Sequence, residues 1–253
     1  MANFENIKRL NEKYKKQSPI VDFYNNLSIN ESFDRDRIEK AIQGSIGSIS
    51  PDYARYFHYG LDVNAALLFV DICSFSTRFS SLKGDEISEF FDNYYNLIIP
   101  IIYEFDGEID KIMGDGIIAV FAPPFSDKDI KELVNDVNLC ATRIIEETKG
   151  TEFSSKVAIH SGTVNYYQNK SGYYSEYTMI GKPLTELFRL ESVALDERIN
   201  FFVDTDIHQL HKAAIEKNIM MGMVYSMPYG PYSRHHVTDL KGVDFSGYYS
   251  LKV

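Results

Sequence analysis

The chain of 253 residues carries a formal net charge of −10, with 44% hydrophobic and 25% charged residues, an ordinary composition for one globular domain with an extension or for two small domains. The acidic balance argues against broad nucleic-acid binding, because neutralising phosphates requires a basic face. No apolar run approaches the ~20 residues of a membrane-spanning helix, the N-terminus lacks a hydrophobic signal core, and two cysteines are too few for a disulfide framework. We therefore expect a cytoplasmic protein without an integral membrane segment.

The first 60 residues predict a helical extension and not a recognisable sensor module. A basic segment over 1–17 has apolar residues at helical spacing, which favours a solvated amphipathic helix over one that touches a partner or a membrane. Prolines and Asn-rich turns follow, with one short helix expected over 34–43. We accordingly divide the chain into an extension over 1–60 and a single domain over 61–253.

The first strand of that domain ends on an acid. Leu67 to Val70 form a continuous apolar run, which is typical of a central strand buried on both faces, and Asp71 follows where the chain leaves the sheet. The turn from Ile72 to Ser76 is small and polar, and its backbone N–H groups are candidates for holding a polyphosphate before the next helix.

A second acid lies on a hairpin that follows a helix over Gly84–Phe105, for which Asp85 is the expected cap. The residues on both sides of the Gly-Asp-Gly turn at 114–116 have strand-like patterns, which places Asp115 at the tip of a tight turn. Two carboxylates on adjacent strand ends suit a pair of hard cations such as Mg²⁺, and such a pair can clamp the attacking and leaving oxygens of a displacement at phosphorus. Because turn aspartates are common, spacing alone favours a metal site and a pair of structural acids about equally.

The remaining pattern predicts helices packed against a mostly antiparallel sheet. The predicted elements are a helix that Ser126 caps and that ends at 149–150, a strand over Lys156–His160, a helix over about 184–194 that carries Arg189, and strands over 201–204, 239–242 and 247–253. The Met- and Tyr-rich segment 219–236 is expected to be a hairpin arm packed on its own domain or at a subunit contact. His160 has no second histidine or cysteine at metal-ligand spacing, so we expect a hydrogen-bonded structural histidine.

Five blocks of the sequence resemble the class III nucleotidyl cyclase catalytic domain. LFVDICSFS (68–76) is similar to the family's metal-binding strand, IDKIMGDGIIAVF (109–121) to its metal-binding hairpin and YTMIGKPLTELFRLE (177–191) to its transition-state segment, while VAIHSG (157–162) and DLKG (239–242) resemble its later strands. The matching blocks run in the family's order from about residue 60 to the C-terminus. The resemblance implies the class III cyclase fold, an α/β sandwich with a ferredoxin-like βαββαβ core.

The resemblance also implies roles for individual residues. Asp71, Asp115 and the backbone carbonyl of Ile72 would bind two divalent cations, Mg²⁺ or Mn²⁺. The substrate would meet Lys241 at its terminal phosphates, Lys111 and Thr178 at its base, Thr185 at its ribose and Arg189 in the transition state. Phe75 and Ser76, in the polar turn after Asp71, are the further candidate substrate contacts that the residues themselves indicate. In the family the metal residues come from one subunit and the base and transition-state residues from the other, so the resemblance implies a homodimer with two composite sites.

The sequence departs from the family pattern around the ribose and the base. Thr185 replaces the family's Asn four residues before the arginine, and IGKPLT replaces the usual IGDTVN. The segment 165–177 lacks the usual phosphate-binding arginine, for which Lys170 is the candidate substitute. Lys111 excludes the acid that guanylate cyclases use at this position. Its ammonium suits adenine N1 and equally a carbonyl oxygen of uracil or cytosine.

A cyclase of this length without a sensor module is similar in architecture to the bacterial pyrimidine cyclases of Pycsar anti-phage systems. Those enzymes make cyclic UMP or cyclic CMP as an alarm signal, which acts on a separate effector. We therefore predict a cyclase that prefers UTP or CTP, with UTP first. The alternatives are an adenylate cyclase and a catalytically silent cyclase-homology domain that senses a nucleotide.

Overall fold

The computed structural model describes Lys13 and residues 51–79, 83–169, 177–220, 232–237 and 240–253. Apart from Lys13, the helices predicted over 1–17 and 34–43 lie outside the described residues, as do Lys170 and most of the Met- and Tyr-rich segment. The domain division at residue 60 therefore stays a prediction. Within the described part of the chain, no helix is both long enough and apolar enough to cross a membrane.

The described helices and strands follow the predicted order through the βαββαβ core, and the structure adds helices over 51–59, 75–78 and 206–220 and a strand over 177–180 that the sequence pattern did not predict. The helices are α1 (Pro51–Tyr59), α2 (Phe75–Arg78), α3 (Gly84–Glu104), α4 (Ile130–Thr148), α5 (Lys182–Glu191) and α6 (Asp206–Met220). The strands are β1 (Asp62–Ile72), β2 (Glu108–Met113), β3 (Gly116–Phe121), β4 (Ser155–Gln168), β5 (Tyr177–Ile180), β6 (Arg198–Phe202), β7 (Tyr232–His236) and β8 (Gly247–Lys252).

The strands form one mixed sheet with β1 near its centre. The order is β2-β3-β1-β4-β6-β8-β7, and β5 pairs with the far end of β4. Only the β4–β6 pair is parallel among the described strands, and the other pairs are antiparallel. The β2-β3-β1-β4 order, with α3 and α4 as crossovers, confirms the predicted βαββαβ core and the α/β sandwich.

β1 is buried on both faces, as its continuous apolar run predicts. One row of its side chains packs against α3 and α4 and consists of Ala66, Leu68, Val70 and Ile72. The alternate row packs against α1 and α5 and consists of Ala65, Leu67 and Phe69. Because successive side chains of a strand point to opposite faces, Asp71 continues the row that faces α5.

Both predicted helix caps are wrong. Lys83, and not Asp85, occupies the N-cap position of α3, where its backbone N–H donates to Glu86 Oε2 at 2.8 Å. α4 begins after Asp129, whose carboxylate accepts hydrogen bonds from the backbone N–H groups of the next turn, while Glu132 accepts one from Asp129 N–H. Together these bonds satisfy three backbone N–H donors at once, which a serine further upstream cannot do.

Several predicted boundaries also need correction. β4 continues beyond His160 to Gln168, because β1 on one side and β5 on the other pair with its polar half. The helix predicted over 184–194 is α5 and begins earlier, at Lys182, with Pro183 in its first turn, where a missing N–H costs nothing. The strand predicted over 201–204 is β6 and begins at Arg198.

The C-terminal part of the chain forms a hairpin. β7 comes from the end of the Met- and Tyr-rich segment and pairs with β8 of the same chain, so this end of the segment packs on its own domain. The strand predicted over 239–242 is wrong for its described residues, since Val243 N–H donates to Leu240 O at 3.1 Å and closes a turn there.

Candidate active site

Asp71 lies at the end of β1, opposite Lys156 of β4 in the strand register. The Lys156 ammonium is 3.3 Å from Asp71 Oδ2 and 2.8 Å from Glu191 Oε1 at the end of α5. The three side chains are between 17% and 18% exposed, so the contacts are partly shielded from water. Among the described residues, the ion partner of Asp71 is therefore Lys156 and not Arg189.

Asp115 lies on the β2–β3 turn, where two contacts fix the hairpin beside β1. The Tyr95 hydroxyl of α3 donates to the Gly114 carbonyl at 2.5 Å. A Cβ on Gly116 would lie 2.8 Å from the Phe69 ring and 3.6 Å from Asp71 Oδ1, so only glycine lets the start of β3 come this close to β1. The sheet thus brings the acid of the hairpin to the acid of the first strand.

The two carboxyl groups are electrostatically coupled. Burial, together with the charges of Asp115 and Glu191, raises the pKa of Asp71 from 3.8 to about 7, although Lys156 opposes the rise. Burial also raises the pKa of the Asp115 carboxyl. The cluster carries more negative charge than one lysine neutralises, and a bound divalent cation relieves that excess.

The donor set fits hard divalent cations. Asp71 and Asp115 offer carboxylate oxygens, and the backbone of Ile72 offers a carbonyl at the end of β1, so every candidate ligand is an oxygen. Among the described residues, no group of three or more His, Cys, Asp or Glu side chains could hold a metal ion. Two carboxylates would therefore need backbone oxygens, water or the substrate's phosphates to complete the coordination.

The turn after Asp71 is anchored by an aromatic side chain. Phe75 packs its ring against Phe79 at 5.0 Å, and also against Phe90 and Phe91 of α3. Ser76 is exposed at the surface of the turn. The structure thus gives the Phe75 side chain an anchoring position, and a contact of this turn with phosphates would come from its backbone.

Thr185 and Arg189 lie on the exposed side of α5. Leu184, Leu187 and Leu190 form the opposite side and are buried against the sheet. Because the two polar residues are four positions apart, they share one helix face. Phe188 extends to the side of the helix and meets Phe69 of β1 with ring centroids 5.4 Å apart. The helix therefore presents its candidate transition-state residues away from its own sheet.

The structure brings together the two candidate base contacts, Lys111 and Thr178. The Lys111 ammonium donates to Thr178 Oγ1 and to Asp110 Oδ2. Asp110 also accepts a hydrogen bond from the Met179 backbone N–H at 3.3 Å, and its side chain is only 5% exposed. A buried carboxylate thus ties β2 to β5 and holds the lysine in place.

Sequence reasoning missed Asp110, because adjacent residues of a regular strand point to opposite faces. The register of β2 against β3 shifts between Ile109 and Lys111, and such a bulge re-aims the local side chains. Sequence reasoning also missed the Lys156–Glu191 pair. The only signal for it was that each residue lies at the edge of a block already identified, VAIHSG for Lys156 and FRLE for Glu191.

His160 is a hydrogen-bonded structural histidine, as predicted. Its Nε2 lies 3.0 Å from Glu186 Oε2 of α5, and both side chains are almost fully buried. Burial lowers the pKa of His160, although Glu186 opposes this, which favours a neutral ring that donates from Nε2. The pair attaches α5 to β4 beneath the exposed Thr185.

Lys241 lies exposed on the turn closed by Val243 and Leu240. The next acid of the same loop, Asp244, accepts a hydrogen bond from Lys182 at the start of α5. Lys241 is thus on a loop that is attached to the helix carrying Arg189, and its contact with phosphates stays a prediction.

Comparison with known proteins gives a consistent picture of the fold. No protein-family model matches the chain. An uncharacterized protein of Mycobacterium tuberculosis is 23% identical over 158 residues, which is 61% of this chain and 28% of that protein. The terminal-differentiation-specific adenylate cyclase of Dictyostelium discoideum is 28% identical over 140 residues, which is 55% of this chain and 6% of that protein.

Among solved structures, the catalytic core of a rhodopsin-guanylyl cyclase with converted specificity, in complex with ATPαS, aligns with a TM-score of 0.61. The alignment covers 77% of this chain and 98% of that core at 15% identity. The chain thus spans only about a quarter of the mycobacterial relative but nearly all of an isolated catalytic core. At these identities the likeness shows a shared fold.

Proposed function

We propose that this chain, which has the fold of class III nucleotidyl cyclase catalytic domains, converts a nucleoside triphosphate to a 3′,5′-cyclic nucleotide and pyrophosphate. The observation that carries the proposal is the convergence of Asp71 and Asp115 at one end of the sheet, partly buried and with too little positive charge around them. A silent nucleotide sensor would not need to maintain such an electrostatically costly pair.

The reaction is an intramolecular displacement at the α-phosphorus. The 3′ oxygen loses its proton to solvent and bonds to the α-phosphorus, while the bond from that phosphorus to the β-bridging oxygen breaks and pyrophosphate leaves. Two divalent cations held by Asp71, Asp115 and the Ile72 carbonyl would supply Lewis-acid charge for this step. The protein contributes mainly position and charge, as in other phosphoryl transfers.

Arg189 would neutralise charge on the phosphorus in the transition state, and the Thr185 hydroxyl would hold the ribose. Both residues lie on the exposed side of α5, whereas Asp71 faces Lys156 within its own chain. This arrangement supports a homodimer in which each site takes its metal residues from one subunit and Thr185 and Arg189 from the other.

We further propose a pyrimidine substrate, UTP before CTP, whose cyclic product acts on a separate effector in bacterial anti-phage defence. The altered segment supports this choice: Thr185 replaces an amide, Lys182 forms an ion pair with Asp244, and Glu186 accepts a hydrogen bond from the neutral His160 ring. The Lys111 ammonium already donates to Asp110 and Thr178, which leaves one donor for a base. That donor suits uracil O4 or cytosine N3.

Adenine is the second candidate, because adenine N1 accepts the same hydrogen bond. The specific observation in its favour is the similarity to a protein named as an adenylate cyclase. The size of the base pocket, and whether the remaining polar groups of the base find hydrogen-bond partners there, must then decide between a purine and a pyrimidine.

The test is to incubate the purified chain with Mn²⁺ and each of the four ribonucleoside triphosphates separately, and to identify the products by mass. Cyclic UMP or cyclic CMP as the main product supports the full proposal, and cyclic AMP supports the second candidate. A chain that binds a nucleotide but forms no cyclic product would be the silent sensor. Asp115→Asn is the control, because it keeps the shape of the side chain and removes its charge.

A further inference from the structure

Lys156 is shared unequally between two carboxylates. Its ammonium is closer to Glu191 Oε1, at 2.8 Å, than to Asp71 Oδ2, at 3.3 Å. Strand pairing fixes Lys156 directly opposite Asp71, and helix α5 supplies Glu191 from the other side. The ammonium thus has a second partner ready if it leaves the first.

The charges around this lysine do not balance. Asp71, Asp115 and Glu191 bring three negative charges when ionised, and Lys156 brings one positive charge, which leaves two uncompensated. The first divalent cation to bind at Asp71 and Asp115 would make up that difference. It would also compete with the lysine for Asp71, because the ammonium and the metal ion repel each other when both lie against this carboxylate.

We propose that Lys156 is a positioning residue which neutralises Asp71 while no divalent cation is bound and is drawn onto Glu191 when a cation binds. Glu191 would thereby set how easily the lysine leaves, and the pair would set the affinity of the metal site. The inference rests on the proposed function only in taking Asp71 as a metal ligand.

Two substitutions should shift metal affinity in opposite directions. Lys156→Met removes the competing cation, so Mn²⁺ should bind more tightly, on the order of tenfold. Glu191→Gln removes the better partner of the lysine and leaves its ammonium to Asp71, so Mn²⁺ should bind more weakly by a similar factor. Lys156→Arg keeps the charge and should stay much closer to the wild type than Lys156→Met. General damage to the site would instead weaken binding in every variant.

Lys128 provides a matched control, because it also bridges two carboxylates, Asp106 at 3.0 Å and Asp136 at 2.7 Å. It lies beyond the end of β3 that is remote from Asp115. Lys128→Met therefore removes a comparable bridging lysine without touching the proposed site, and it should leave Mn²⁺ affinity unchanged.

The experiment measures Mn²⁺ binding to the full chain without nucleotide, by electron paramagnetic resonance of the free ion, and checks each fold by its thermal transition. Asp71→Asn is included, and if it binds Mn²⁺ as well as the wild type, both the metal site and this inference fail. If binding needs Asp71 but the Lys156→Met and Glu191→Gln shifts have the same sign or are absent, only the inference about Lys156 is overturned. Should Lys156→Met not fold, Glu191→Gln decides alone, and unchanged or tighter binding would overturn the inference.

Discussion

The cost of holding Asp71 charged predicts that Asp71→Asn stabilises the metal-free protein above neutral pH. One pKa unit corresponds to about 1.36 kcal/mol, so a rise from 3.8 to about 7 corresponds to roughly 4 kcal/mol. Because the side chain keeps 17% exposure, solvent screening should reduce this value, and we expect about 2 kcal/mol. Asparagine keeps the shape of the side chain and removes the charge that causes the cost.

The sign of the pH dependence follows from the raised pKa. The folded protein holds the Asp71 proton more tightly than the unfolded chain does, so the wild-type free energy of unfolding falls as pH rises from about 4 to about 7. Asparagine does not titrate in this range. The advantage of Asp71→Asn should therefore be small near pH 4 and should reach its full size at about pH 8.

Urea denaturation in EDTA across this pH range measures the difference directly. Asp92→Asn, at an exposed position of α3, is the control and should show little pH-dependent difference from the wild type. Excess Mn²⁺ should reverse the order, because a cation present at 100 times its Kd stabilises the wild type by about 2.7 kcal/mol. A difference that is absent at pH 8, or that does not change with pH, would refute the electrostatic account of this site.

Three further predictions test the site and the fold. Asp71→Ala and Arg189→Ala should each lose cyclase activity. Their equimolar mixture should recover roughly a quarter of the wild-type activity, because half of the dimers then contain one intact site of two. If both variants fold and exchange subunits but the mixture stays inactive, the site is not shared. Lys111→Ala should lower kcat/KM for the preferred triphosphate about 10-fold to 100-fold and weaken its selection in competition assays with all four triphosphates, whereas unchanged selection would mean that the base is chosen elsewhere. Gly162→Ala should lower the free energy of unfolding by about 2 kcal/mol, because Gly162 has a φ of 154° and a Cβ added there would lie 2.6 Å from Pro183 Cγ. Adding Pro183→Ala should restore part of this loss, as measured by urea denaturation.

The core of the fold could be predicted because its signals are local. The apolar run from Leu67 to Val70 predicts a strand buried on both faces, and the glycines at 114 and 116 predict the hairpin. The helix caps were wrong for a related reason. Asp129 and Glu132 form a capping box only if the helix begins between them. Judged by residue type alone, the earlier Ser126 is an equally good N-cap, so the sequence does not indicate where the helix begins.

The contacts of the site depend on strand register and on a β-bulge, which no local sequence pattern indicates. Lys156 meets Asp71 only because β1 and β4 pair in one particular register, across more than 80 residues of chain. Asp110 reaches Lys111 and β5 only because a bulge interrupts the alternation of β2. The resemblance supplied the roles of Lys111 and Thr178 without their mutual contact, and the structure adds the carboxylate that holds them.

The geometry of α5 supports the proposal that Arg189 serves the site of a second subunit. Glu191 faces the sheet, where it pairs with Lys156, and residues two positions apart on a helix point roughly 200° apart. Arg189 must then point outward, and turning it toward its own Asp71 would break the packing of Leu187 and Leu190. The proposed shared site would avoid this conflict, because Arg189 of one subunit would then act at the metal residues of the other. A variant that folds as a monomer should therefore still bind Mn²⁺ through Asp71 and yet form no cyclic product, and a fully active monomer would rule out the shared site.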